Sequence, residues 1–267
     1  MHVPEALAGP ADVLAGLARI GHFGYGHIDP NVRAGQGVEA GQHIGWTCQG
    51  YWHVHLTEFL FLPGREPIEI NPLRRTGKLH PYVDRAPPAI REIRLYRPAT
   101  PRWARRPRTT VAKLPQAGTR LNKAALTGKV DVRVRLHDPQ SYIGWFKDLP
   151  HLAAPHHPFR LSVTIVDLAR EVVVVRREAF RAEQMLEQPA GQHFAPGTEQ
   201  NLPANGCMLF HRSIPCDGDY WFRLFPSPYW DTTKLPDGRY RLRVRAWDVA
   251  GNLSTADSAV TLRNKQL

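Results

Sequence analysis

The stretch Asn31-Val32-Arg33-Ala34-Gly35-Gln36-Gly37-Val38-Glu39-Ala40-Gly41-Gln42-His43-Ile44-Gly45-Trp46 repeats itself every six residues. Val32, Val38 and Ile44 recur at that interval, as do Gly35 and Gly41. Such a period predicts short strands joined by tight glycine turns, each strand sending one apolar side chain inward. The flanks extend this β reading. Upstream, Ala18 to Ile28 reads as a strand with Tyr25 and His27 on one face. Downstream, Val54 to Leu62 reads as a strand that Pro63-Gly64 turns, and residues 63–83 read as loop.

Between these elements lies Trp52-His53-Val54-His55-Leu56. In a strand, alternate residues share a face, so His53 and His55 project side by side. That geometry suits a metal ligand beside an acid/base group. The plainer reading is two hydrogen-bonded histidines in a half-buried strand.

Composition sets wider bounds. A chain of 267 residues can hold two domains, each with its own core. Its 24 prolines and 21 glycines predict many turns and little long helix. The net charge is +11, and Arg85 to Lys113 holds nine basic residues against Glu92 alone, so 9 − 1 = +8 of the excess lies in one segment. Aromatic residues are sparse there and no nucleic-acid motif accompanies them, so a solvated linker is expected and nucleic acid is not an expected partner. Of the three cysteines, Cys207 and Cys216 could close a loop, with Cys48 left over; three reduced thiols are the alternative. No apolar run reaches the roughly 18 residues of a membrane span, and Met1 to Ile20 lacks the features of a signal peptide.

After a junction near Asp84 to Pro88, the alternation is that of half-exposed strands. Ile90 to Tyr96 is one. Val130, Val132, Val134 and Leu136 alternate with Asp131, Arg133, Arg135 and His137, predicting one dry and one wet face. Phe159 to Ile165 alternates likewise. Glu171 to Arg177 is expected as a strand buried on both sides or as a hairpin partner, and Arg181 to Glu187 as a short helix before a long loop. Tyr240, Leu242, Val244 and Ala246 alternate with Arg239, Arg241, Arg243 and Arg245; the arginines read as a solvated face, with the binding of an anionic polymer as the alternative. A turn at Asp248-Val249-Ala250-Gly251-Asn252 leads to a last strand, Ser258 to Leu262. Short antiparallel strands of this kind suggest a β-sandwich.

Tyr25-Gly26-His27, the Val-x-Ala-Gly-Gln repeats, Ile44-Gly45 and His53-Val54-His55-Leu56 together resemble, over about 40 residues, the lysostaphin-type (LytM-like) zinc metallopeptidases of bacterial cell walls. Lipoyl and biotinyl carrier domains use similar hairpins, but no lysine sits at a hairpin tip in residues 31–46. The resemblance implies that His55 is a zinc ligand, His53 the general base and His27 the histidine that stabilises the oxyanion. It also implies two further ligands from an upstream His-x-x-x-Asp. That motif is missing: His2 is followed four residues later by Ala6, and Asp12 is preceded four residues earlier by Ala8. His22, Asp29 and His43 are local substitutes. The second half resembles bacterial immunoglobulin-like or fibronectin-like domains, chiefly through Asp237-Gly238-Arg239-Tyr240 and Trp247-Asp248-Val249-Ala250-Gly251-Asn252. His156, His157 and His211 read as surface histidines.

The expected fold is all-β: residues 1–83 as the C-terminal part of a peptidase-like β-hairpin domain of the duplicated-hybrid-motif type, and 84–267 as an immunoglobulin-like β-sandwich with a long insertion near 179–218. The function implied by the resemblance is a zinc-dependent endopeptidase of the peptidoglycan-hydrolase type, acting as a monomer outside the cell or in its envelope. The missing motif leads to the expectation of an N-terminally truncated chain with one matched zinc ligand and little activity. The alternative is a non-catalytic module that binds a cell-wall polymer or a partner.

Overall fold

The computed structural model describes residues 9–14, 17–49, 54–79, 83–98, 118–139, 157–183, 193–195, 198, 220–225 and 229–266. Among them there is no α-helix, only strands and short 3-10 turns. The chain divides into two compact units, Met1–Tyr82 with Glu183–Met185, and Val83–Ala182 with Leu186–Leu267.

The first unit contains β1 (Gly9–Leu14), β2 (Leu17–Ile20), β3 (Phe23–Gly26), β4 (Ile28–Pro30), β5 (Gly37–Val38), β6 (Gly45–Thr47), β7 (His55–Leu60) and β8 (Ile68–Ile70). Six of these form an antiparallel sheet in the order β5-β1-β2-β3-β7-β8, and β4 pairs with β6 as a separate ribbon. Val32, Val38 and Ile44 are all buried, in one cluster with Ala18, Ile20, Phe23, Tyr25 and Ile28. The sequence period is therefore a packing period.

Its turns are two copies of one device. Gln36 N–H donates to the Arg33 carbonyl at 3.0 Å, and Gln42 N–H to the Glu39 carbonyl at 3.1 Å. Each glutamine side chain then accepts from the backbone N–H three residues earlier, Gln36 Oε1 from Arg33 and Gln42 Oε1 from Glu39, both at 3.0 Å. The third turn position is Gly35 at φ 78° in one and Gly41 at φ 79° in the other. A type II turn demands such a value there, and glycine takes it without steric cost.

Two expectations for this unit are corrected. Ala18 to Ile28 is a hairpin of β2 and β3, with Ile20 opposite Phe23, rather than one strand. Residues 63–83 are not all loop, because β8 pairs with β7. The segment after β8 is tied down by Glu58 of β7, whose buried carboxylate accepts from Arg74 Nη1 at 2.8 Å, from Arg74 Nη2 at 3.2 Å and from the Lys78 backbone N–H at 3.2 Å. A buried carboxylate needs such partners to offset its desolvation.

The second unit contains β9 (Ala89–Tyr96), β10 (Lys129–His137), β11 (Arg160–Asp167), β12 (Val172–Arg181), β13 (Tyr220–Arg223), β14 (Trp230–Asp231), β15 (Gly238–Trp247) and β16 (Leu253–Leu262). β10 pairs with β9, β13 and β14 in one antiparallel sheet, and the other runs β12-β11-β15-β16. Side chains from both sheets share one buried cluster, including Val130, Val132, Val134 and Leu136 of β10, Leu161, Val163 and Ile165 of β11, and Leu242, Val244 and Ala246 of β15. This is a sandwich. Fully burying such a side chain contributes about 1.5–3 kcal/mol, so the alternation seen in sequence selects these faces. At the start of β15, the Tyr240 hydroxyl donates to the Pro236 carbonyl at 2.7 Å, resembling the tyrosine corner of immunoglobulin-type sandwiches.

Here too the structure departs from expectation. The outer face of β10 is not wet along its length: Asp131 and Arg133 are buried. Alternation reports which side chains share a face, not whether that face meets water. Arg181 ends β12 instead of starting a helix, and residues 184–187 lie outside the described residues. Between the two alternatives for the valine run, β12 is the hairpin partner of β11, with Val172 and Val173 about half exposed. The first part of the basic segment is β9, and residues 99–117 lie outside the described residues, as do Cys207, Cys216, His156 and His211. His157, expected at the surface, is instead part-buried, its ring packed against Phe180 and Tyr220.

Candidate functional site

The sequence places His27 and His55 in separate elements, and the β3–β7 ladder brings them together. Tyr25 pairs with Leu56 and Gly26 with His55. One residue beyond β3, the His27 imidazole stands edge-on to that of His55, with ring centroids 4.5 Å apart. His53 lies outside the described residues, and β7 begins at His55.

His27 occupies the corner where the chain leaves the six-stranded sheet and enters the β4–β6 ribbon. Its φ is 62°, in the left-handed region that non-glycine residues use sparingly, histidine more readily than most. The Cys48 backbone N–H donates to the His27 carbonyl at 2.9 Å and fixes the corner from the ribbon side. A strained conformation held by surrounding structure is a feature that clusters at functional sites. The ribbon needs Gly45: a Cβ there would lie 2.4 Å from the Asp29 carbonyl oxygen and 3.0 Å from Pro30 Cα. Two residues before His27, Tyr25 is buried in the core of the unit, and its hydroxyl has no hydrogen-bond partner among the described residues. Burial pushes its pKa well above the usual phenol range.

The three local substitutes are otherwise engaged. His22 Nδ1–H donates to the Phe59 carbonyl at 3.1 Å, and its ring lies edge-on to Phe61. His43 Nδ1 accepts from the Asn31 amide at 3.0 Å, and its ring lies edge-on to the exposed Trp46. Asp29 Oδ1 accepts from Cys48 Sγ at 3.5 Å.

A catalytic zinc takes three protein ligands and leaves one position open. Among the described residues of the first unit, no three histidine, cysteine or acidic side chains meet at ligand distance. His27 and His55 by themselves therefore do not fit a complete catalytic zinc site.

Sequence reasoning missed a different cluster. Asp84, Asp138 and Asp248 of the second unit, all buried, offer carboxylate oxygens that lie within 4.8 Å of one another. The available signal was the Asp248-Val249-Ala250-Gly251-Asn252 turn, which was legible as a turn but not as one wall of a cluster.

No protein-family model matches the chain, and no curated protein sequence matches it. Among solved structures, the crystal structure of CopC from Methylosinus trichosporium OB3b is similar over 55% of this chain and 89% of that one, at 12% identity and a TM-score of 0.24. A score that low carries no argument about fold or function. No described helix is long and apolar enough to cross a membrane.

Proposed function

We propose that the chain acts on the peptides of bacterial cell-wall polymer, through a lysostaphin-type histidine site in its first unit. The reading is a zinc-dependent endopeptidase with His55 as a metal ligand, His53 as general base and His27 as the oxyanion-side histidine. The observation that carries it is the edge-on contact of His27 and His55 across β3 and β7. The motif resemblance requires these two side chains to meet, and 55 − 27 = 28 positions of chain separate them. The left-handed corner at His27 adds support. Zinc, when bound, would polarise a carbonyl and acidify a water.

The second reading is a non-catalytic module that docks to the same polymer. It is favoured by the lack, among the described residues of the first unit, of a three-ligand group that would include His55.

One experiment separates the two. Purified protein is supplied with zinc and incubated with peptidoglycan; released peptide ends are measured by mass spectrometry and bound protein by co-sedimentation. Zinc-dependent release that is lost in His55→Ala supports the endopeptidase. Co-sedimentation without release supports the docking module. Protein that neither sediments with the polymer nor cuts it would sink both readings.

A further inference from the structure

Asp84 lies at the start of the second unit, Asp138 directly follows β10, and Asp248 directly follows β15. All three are at least nine-tenths buried: Asp84 is 7%, Asp138 4% and Asp248 2% exposed. Two of the carboxylates are positioned by local bonds. Asp248 Oδ1 accepts from the Asn252 backbone N–H at 2.8 Å, and Oδ2 from Asn252 Nδ2 at 2.6 Å. That amide also donates to the Asp84 backbone carbonyl at 2.9 Å, and Asp84 Oδ1 accepts from the Ala86 N–H at 3.0 Å. Asn252 thus holds two of the three acidic segments together.

Asp138 Oδ1 is buried and has no hydrogen-bond partner among the described residues, and its carboxylate gathers with those of Asp84 and Asp248, an oxygen of each lying within 4.8 Å of the others. A buried carboxylate oxygen without a partner is costly, and buried charges are ordinarily paired or bound to a metal. We propose that Asp84, Asp138 and Asp248 form a calcium site that fastens the segment entering the sandwich to the ends of β10 and β15.

The donor chemistry selects the ion class. Carboxylate oxygens without nitrogen or sulfur suit hard cations. Calcium binds oxygens at about 2.3–2.6 Å, so one ion can span ligand atoms up to roughly 5 Å apart, which includes this set. Magnesium retains several waters and demands near-octahedral geometry, a poor match to carboxylates as enclosed as these. Burial and the Asp248 and Asp84 charges push the Asp138 carboxyl up to about 7, and burial also raises Asp248. Like charges gathered in a low-dielectric site favour a cation.

The inference concerns the second unit alone, and its test reads binding instead of hydrolysis. Full-length protein is stripped with chelator and titrated with calcium by calorimetry and by thermal unfolding. One calcium per chain and a rise in Tm of several degrees are expected. Asp138→Asn keeps the shape and removes the charge; at least tenfold weaker binding and no Tm shift are expected. Asp257→Asn, an acidic change elsewhere in the same sandwich, is expected to leave binding unchanged. Terbium luminescence excited through tryptophan and quenched by calcium is expected from the unmutated chain, so the outcome does not depend on any variant folding. No binding at millimolar calcium, or wild-type affinity in folded Asp138→Asn, overturns the proposal.

Discussion

Arg133 and Asp131, two residues apart on β10, form an ion pair at 2.8 Å with both side chains 1% exposed. Arg133 Nε and Nη2 both donate to Asp131 Oδ2, and the guanidinium lies over the Tyr96 ring, 4.2 Å from its centroid. Arg223 stands opposite Arg133 on β13, with Nη1 3.6 Å from the same carboxylate oxygen. Removing one partner of a buried pair strands the other, at about 3–5 kcal/mol. Arg133→Met is expected near the lower end, because Arg223 remains. Replacing all three buried charges, as Asp131→Leu with Arg133→Met and Arg223→Met, is expected to recover much of the loss, because no member is then left without its partner. Urea denaturation of the wild type, the single and the triple variant checks this, and a triple variant less stable than the single one would contradict it.

Gly45→Ala is expected to destabilise the first unit by about 2–3 kcal/mol, the range for overpacking a closed contact. The added Cβ meets backbone atoms of Asp29 and Pro30, which cannot swing aside as a side chain can. Near-ultraviolet circular dichroism during thermal unfolding reads the change. Gly35→Ala meets open space but keeps the positive φ, so its smaller cost separates backbone strain from collision.

At His27 stability and function are expected to part. Left-handed backbone costs a residue with a Cβ about 1–2 kcal/mol, and glycine is exempt. His27→Gly is therefore expected to be more stable than His27→Ala by about 1 kcal/mol, while both lose whatever activity the imidazole supports. Paired denaturation and peptidoglycan-release assays check both halves of this statement.

His157 is expected to give the second unit an acid sensitivity. Its ring lies edge-on to Phe180 and Tyr220, and Nδ1–H donates to the Pro158 carbonyl at 3.0 Å. Burial holds the imidazole below the ordinary histidine range, partly opposed by that bond. With the folded pKa below the unfolded value of about 6.5, the contribution is fully present above the unfolded value and is lost as pH falls through the folded one. Tm measured from neutral to mildly acidic pH is expected to fall more steeply in the wild type than in His157→Phe. Equal slopes would count against the assignment.

The faces legible in sequence were those where alternation and burial coincide. Val32, Val38 and Ile44, the inward rows of β10, β11 and β15, and the turn at Asp248 to Asn252 all follow from local pattern. Three features did not. His27 leaves its strand because the chain must turn from one sheet into another, a tertiary demand that outweighs local alternation. Asp131 and Arg133 occupy positions typical of a wet face and are buried by neighbours distant in sequence. The cluster of Asp84, Asp138 and Asp248 draws on three segments whose only link is the fold, so nothing in the spacing of those residues announced it. Of the candidate histidine pair, the sequence supplied the identities and the β3–β7 register supplied the meeting of His27 with His55.

The two Ala-Gly-Gln turns carry a final implication. Each is closed by an equivalent backbone bond and by its own glutamine. Their geometry is that of one link used twice. Adding or deleting one whole link would shift the following residues by six places while preserving which of them face inward, so such a segment can change its reach in fixed steps without re-inventing the core beneath it.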